Sequence, residues 1–500
     1  MLDEPAIAGH CTAMQRFFAA LLLVAFGILP AACRQQPQGA LRAVVIGGEP
    51  KIRDPALGPL PPADAVLLEN IAQGLVRFDA SGNIEGGLAE RWNVSDDGLS
   101  YIFRIASMNW PDGKKITAQQ VARLLKRQLT ERSQNPLKDS LGAVDDVVAM
   151  TDRVIEIRLL APRPNLLSLL AQPEFAILRE NAGTGPFQAA PMANGSGELR
   201  LSREIQQSDD EEPHREQVLL AGETVQNAIG EFGLAKADLV LGGTFVDLPY
   251  AQHAKVPGAA LRFDPASGLF GLVPTQSAAP FNDPQFRYLL TQALDRNNLV
   301  TRLAVPGLAA RATLLEPGLD GIAPPPQPAW FGAAVADRLT ALRAQLDKDL
   351  GKTKPVIRVA LPEGPGADLL FDELQRDWGA IGLTVARSKP GAPADFTLID
   401  EVAPSTSPSW FVRHFHCGAV AICDDQADQL MDVARQTPVP QQRYALLAQA
   451  AARIDQMQLF IPIAAPIRWS LVSGRIQGFA GNRYARHTLT DLEQQPGTGD

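Results

Sequence analysis

The sequence carries no G-x-S-x-G elbow, no H-E-x-x-H helix and no Walker loop. Nothing in the spacing of Ser, His and Asp assembles a nucleophile with its base, so an enzyme is not expected. Basic clustering is also missing. Lys and Arg total 46 against 55 Asp and Glu, a net charge of −9 without a charged stripe, which excludes a nucleic-acid binder. There is no internal repeat and no long low-complexity tract. No cofactor motif is present. What remains is 500 residues of ordinary apolar content, rich in Pro and Gly. That is enough for two or three α/β domains with many connections.

Long hydrophobic runs are scarce too. The one candidate is residues 17–29, preceded by Met14, Gln15 and Arg16 and followed by Pro30, Ala31, Ala32 and Cys33. It is short for a membrane span and right for the apolar core of a signal peptide. Asp3 and Glu4 ahead of it are unusual there, so translation is expected to start at Met14, with residues 1–32 as the export signal. The small residues before Cys33 make that cysteine the expected lipid-attachment site. Ordinary cleavage nearby, giving an unanchored product, is the alternative. Past Cys33 only Cys417 and Cys423 remain. In an exported chain, with five residues between them, they read as a local disulfide. His414, His416, Asp424 and Asp425 beside them keep a metal reading open, although no known zinc or nickel spacing is present.

The chain is organised around residues 69–121. Leu67, Leu68, Ile71, Ala72 and Leu75 fall at helical spacing. The stretch then reads as turn, helix, turn, strand, turn and helix. Residues 79–83 and Asp96-Asp97-Gly98 are turn chemistry. Leu99, Tyr101, Phe103 and Ile105 alternate as the buried face of a strand. Thr117 with Gln120 forms a capping box opening the last helix. Further on, the polar stretch 202–213 reads as a solvated loop and residues 261–274 as a crossing strand.

The blocks 70–79, 87–92, 96–103, 110–113 and 117–121 match, in order, N-I-x-E-G-L-V-x-x-D, G-L-A-E-x-W, D-D-G-x-x-Y-x-F, W-x-D-G and T-A-x-D-V. They resemble the signature of the family 5 extracellular solute-binding proteins, the oligopeptide, dipeptide and nickel receptors of ABC importers. Gln73 and Gln120 stand where the family usually has acids. Residues 281–296 and the late Gly478-Phe479 extend the resemblance over almost the whole exported chain.

The resemblance implies a two-lobe periplasmic-binding-protein-like α/β fold (type II, cluster C) with an extra domain inserted in lobe I. Lobe I is expected at 41–62, 172–262 and 465–500, the accessory domain at 63–171 and lobe II at 263–464. It further implies a monomer that captures a ligand, a short peptide above all, between the lobes and delivers it to an inner-membrane permease. Alternatives on the same fold are a metal chelate, haem or sugar as ligand, or a sensor receptor. Asp400, four residues before Pro404, matches the carboxylate that takes a peptide's terminal amine. Glu49 is its lobe I counterpart. Thr184, in Gly183-Thr184-Gly185-Pro186-Phe187, lies in a turn expected near the ligand. Relatives carry G-W-x-x-D where this chain has Phe396-Thr397-Leu398-Ile399-Asp400. Phe396, Thr397 and Trp410 are therefore expected to form a remodelled cleft wall.

Overall fold

The computed structural model describes residues 39–193, 195–205, 214–389 and 391–494. The signal segment 1–32, Cys33 and the end of the chain from 495 lie outside the described residues, as do residues 206–213. Among the described residues no helix is long and apolar enough to cross a membrane.

Three sheets carry the architecture. A seven-stranded sheet runs, edge to edge, Leu261–Phe263, Arg468–Val472, Leu239–Thr244, Leu41–Ile46, His214–Glu223, Leu199–Ile205 and Gln188–Pro191. Its central strand, Leu41–Ile46, pairs in parallel with both neighbours. It is apolar on both faces: Leu41, Ala43 and Val45 pack with Leu67 and Leu68 of the helix Pro62–Ile71, while Val44 joins the opposite core. A five-stranded sheet runs Thr384–Arg387, Val356–Ala360, Phe396–Val402, Gly268–Pro274 and Ile461–Ala464. Its first three strands are parallel, and the helix Pro365–Ala380 packs against it through Leu370, Leu374 and Trp378. Strands buried on both faces and covered by helices are the pattern of α/β lobes.

The third sheet is antiparallel, in the order Ala89–Val94, Ser100–Ile105, Val154–Leu159 and Val144–Thr151. Tyr101, Phe103 and Ile105 share its buried face with Ile155, Ile157 and Leu159, over Val121 and Leu125 of the helix Ala118–Leu129. The capping box forms: Thr117 Oγ1 accepts from the Gln120 N–H at 3.3 Å, and Gln120 Oε1 accepts from the Thr117 N–H at 3.3 Å. That same Oε1 also accepts from Trp110 Nε1 at 2.9 Å.

Two local readings change. The second helix of the 69–121 stretch is absent: Ile84–Gly86 and Ala89–Val94 are strands, and Trp92 pairs with Phe103. The Gly86-Gly87 pair interrupts any helix there, and the neighbouring strand Ser100–Ile105 offers a ladder within one turn. Residues 202–205 belong to the strand Leu199–Ile205, paired with His214–Glu223, so the polar stretch is strand at its start. Residues 261–274 do cross, but as two strands in two different sheets.

Candidate ligand-binding site

Two neighbouring, oppositely directed passages of chain link the large sheets. The chain leaves the seven-stranded sheet at Leu261–Phe263 and enters the five-stranded sheet at Gly268–Pro274. It returns from Ile461–Ala464 to Arg468–Val472. The passages are stitched together. The Asp264 N–H donates to the Arg468 carbonyl at 3.0 Å. The Asp264 carboxylate accepts from the Asn482 N–H at 3.0 Å and meets His487 Nε2 at 3.1 Å. At Gly268 a Cβ would stand 2.1 Å from the Glu401 carbonyl oxygen, so this entry to the second sheet admits only glycine.

Asp400 lies on the strand Phe396–Val402, opposite Phe270. Arg468 Nη1 donates to its two carboxylate oxygens at 2.9 and 3.1 Å, and Arg468 Nη2 donates to its carbonyl at 3.0 Å. Arg468 opens a strand of the other sheet, so this ion pair bridges the two sheets at the crossing. Burial pushes the Asp400 carboxyl above its ordinary range, and Arg468 pulls it only part of the way back. A cavity of about 250 Å³ adjoins Arg468, lined by Asp264, Arg311 and Ile467 among others.

The strand's period of two divides the other candidates. Phe396 and Leu398 share the Asp400 face. Phe396 is fully buried, 5.7 Å from Trp378 and 6.2 Å from Phe281 between ring centres. It therefore sits in the core rather than on a cleft wall. Thr397, half-buried between Val273 and Ala360, and Glu401 belong to the opposite face. Glu401 meets His414 Nε2 at 3.1 Å, which holds its carboxyl below the ordinary range. Trp410, on the helix Pro408–Arg413, packs edge-on against His414 and Phe411 within that side's core. The aromatics expected to line the wall are thus both packed inward, and on opposite faces of the sheet.

Glu49 and Thr184 sit elsewhere. Glu49 is exposed on the turn after Leu41–Ile46, 3.8 Å from Lys51 Nζ. Thr184 is buried in a clasp: the Gly185 N–H donates to the Ile71 carbonyl at 2.9 Å and the Phe187 N–H to the Asn70 carbonyl at 3.0 Å. Gln73 Nε2 donates to the Thr184 carbonyl at 2.7 Å. Among the described residues no hydrogen bond or ion pair joins Glu49 or Thr184 to the Asp400 strand. Beside the clasp, Arg486 pairs with Glu174 at 3.0 Å and reaches Glu69 at 3.7 Å.

Cys417 and Cys423 are joined by a disulfide, with S–S 2.11 Å. Of the neighbours weighed as metal ligands, His416 Nδ1 meets the Cys417 carbonyl at 2.7 Å and Asp424 caps the helix Asp425–Gln436. A bridged pair presents no thiolate.

The residue that sequence reading missed is Arg468. A signal existed: it is the only charged residue in the apolar run from 459 to 472. An unpaired charge there would be costly to bury, so a partner was implied.

Two α/β lobes linked by paired crossings, with a charged pair between their sheets, define a bilobal binding protein of the periplasmic type. Residues 83–393 match the model described as bacterial extracellular solute-binding proteins, family 5 Middle, and the chain belongs to that family. Among similar proteins, the oligopeptide-binding protein OppA of Bacillus subtilis is 24% identical over 282 residues, 49% of this chain and 51% of that protein. The probable deoxycholate-binding periplasmic protein YgiS of Escherichia coli is 29% identical over 127 residues, 22% of this chain and 24% of that one. The chain thus spans about half or less of these relatives' length. The crystal structure of Haemophilus influenzae OppA in complex with RPPGFSPFR superposes with a TM-score of 0.77 at 17% identity, over 91% of this chain and 99% of that one, so the fold is shared over that span.

Proposed function

We propose that this protein captures a solute between its two lobes outside the cytoplasm and presents it to an ABC permease, and that the solute is a short peptide. It is a monomeric receptor of the periplasm or cell envelope, held to the membrane by lipid on Cys33, and performs no chemistry on its ligand. Lobe I is 41–62, 172–262 and 465–500, lobe II is 263–464, and 63–171 is an accessory domain. Ligand held by both lobes favours the closed arrangement, which is the state a permease reads.

The observation that carries this reading is the Asp400–Arg468 pair at the crossing. One guanidinium does not fully offset the burial of Asp400. A second cation, a peptide's terminal ammonium, would complete it through the remaining lone pairs of the carboxylate. The same pair favours a second reading. Arg468 already occupies both carboxylate oxygens, so a ligand lacking a free amine could displace Asp400 and bind the guanidinium through an acidic group.

Mass spectrometry of ligand released from protein purified without refolding separates the two. Short peptides support the first reading, and an acidic non-peptide supports the second. Asp400→Ala should abolish the thermal stabilisation that a bound peptide gives. A variant that keeps the wild-type shift overturns the role of Asp400.

A further inference from the structure

A cavity of about 170 Å³ lies away from the crossing, between residues 139–143 and 163 on one wall and the helices Pro408–Arg413, Asp425–Gln436 and Pro440–Gln456 on the other. Four arginines face it: Arg163, Arg413, Arg435 and Arg443. The hydroxyls of Ser140 and Ser409 join them, over an apolar floor of Val412, Met431 and Leu447.

The positive charge there is poorly matched. Arg443 is 4% exposed; among the described residues its side chain donates one hydrogen bond, to the Pro162 carbonyl at 2.7 Å, and its guanidinium lies 5.2 Å from the Tyr444 ring centre. Arg163 donates to the Pro162 carbonyl at 2.9 Å and the Arg435 carbonyl at 3.2 Å. Among the described residues neither has a carboxylate at ion-pair distance. Asp320 and Tyr444 act on Arg443 only from further off. The other two arginines have acids near them: Arg413 stands 3.9 Å from Asp139, which itself lines the cavity, and Arg435 3.1 Å from the exposed Asp432. Burial, with Arg443 adding to it, pushes Arg163 down to about 10. Arg163 therefore remains a cation at neutral pH. Burial likewise lowers Arg413; Asp139 opposes this and Arg435 adds to it. A buried guanidinium with no carboxylate beside it, such as that of Arg443, is costly unless an anion joins it.

We propose that this cavity binds a small organic oxyanion with two negative charges, a dicarboxylate or a phosphate ester. Guanidinium forks match carboxylate and phosphate oxygens in pairs. The apolar floor takes the carbon part of the ligand. Arg163 comes from one wall and the other three arginines from the opposite wall, so the anion binds only while the walls are together and favours that arrangement. The site is independent of Asp400, and its occupancy is a second input to lobe closure.

The test is isothermal titration of the whole exported chain in chloride buffer at constant ionic strength, with glutarate and with inorganic phosphate as probes. Saturable one-site binding of either probe is expected, and the tighter probe assigns the carboxylate or the phosphate class. Arg443→Met and Arg163→Met should each weaken that binding about tenfold or more, the loss of one charge-assisted fork. Arg435→Gln, at the exposed rim, should weaken it less. If Arg443→Met does not fold, Arg163→Met decides. No saturable heat from either probe, or an unchanged affinity in Arg163→Met, overturns the site.

Discussion

The signature stretch 69–121 and the crossing at 396–402 and 461–472 handle polar groups in opposite ways. In the first, most polar side chains close local structure. Thr117 and Gln120 cap a helix, and Asp79 accepts from the Ser81 and Asn83 N–H groups. In the second, Asp400 and Arg468 are 68 residues apart and pair across two sheets. A strong motif built from turns and caps therefore marks how the chain folds. A buried charge whose partner is distant marks where two sheets meet.

The sharpest way to break this contrast is Arg468→Met. It leaves Asp400 buried beside apolar neighbours, and removing one partner of a buried pair costs about 3–5 kcal/mol. Denaturant unfolding at neutral pH should show that loss. The double variant Arg468→Met with Asp400→Leu should recover most of it, because no charge is left unpaired. If the single variant is as stable as wild type, the pair is merely solvated and the crossing is no different from the signature stretch.

This asymmetry also explains what the sequence made legible. The α/β class, the Thr117–Gln120 capping box and the Tyr101–Phe103–Ile105 face depend on neighbours within a few residues, so periodicity and turn chemistry reach them. The Ala89–Val94 strand was misread as helix because its six residues pair with a strand across the turn, and no local pattern records that pairing. Asp400 stood out through its resemblance to relatives, yet its partner Arg468 did not, since register across two sheets is fixed only by the tertiary fold. The same limit applies to Phe396 and Trp410. Comparison with the relatives' G-W-x-x-D pattern marks them as wall aromatics, whereas strand parity and helix packing turn both inward.

Glu69 is the exception inside the signature stretch and gives a smaller, pH-dependent test. Burial pushes its carboxyl up to about 7; Arg486 opposes this, and Glu174 adds to it. A raised carboxyl keeps its proton in the folded state after the unfolded chain has lost it. Its contribution to stability is therefore complete below about pH 4.5 and falls as pH rises towards 7. Glu69→Gln removes that loss. The variant should match wild type near pH 4 and exceed it above pH 7 by on the order of 1–3 kcal/mol. If wild type instead gains on the variant as pH rises, Arg486 keeps Glu69 ionised in the folded state, and the signature stretch would then hold a buried ion pair of the crossing's kind.

The smallest effect is the most direct check on the local side of the comparison. Thr117→Ala removes the hydroxyl that accepts from the Gln120 N–H at the start of Ala118–Leu129. Loss of such a cap costs about 1 kcal/mol. Gln120 can still accept from the residue 117 N–H and from Trp110 Nε1, so the loss should sit at the lower end. Because the cap serves its own helix, ligand-induced thermal stabilisation should be the same size in the variant as in wild type, starting from a slightly lower melting temperature. If Thr117→Ala also diminishes the ligand shift, the cap is coupled to closure. The division between residues that build the fold and residues that read the ligand would then fail at its most clear-cut member.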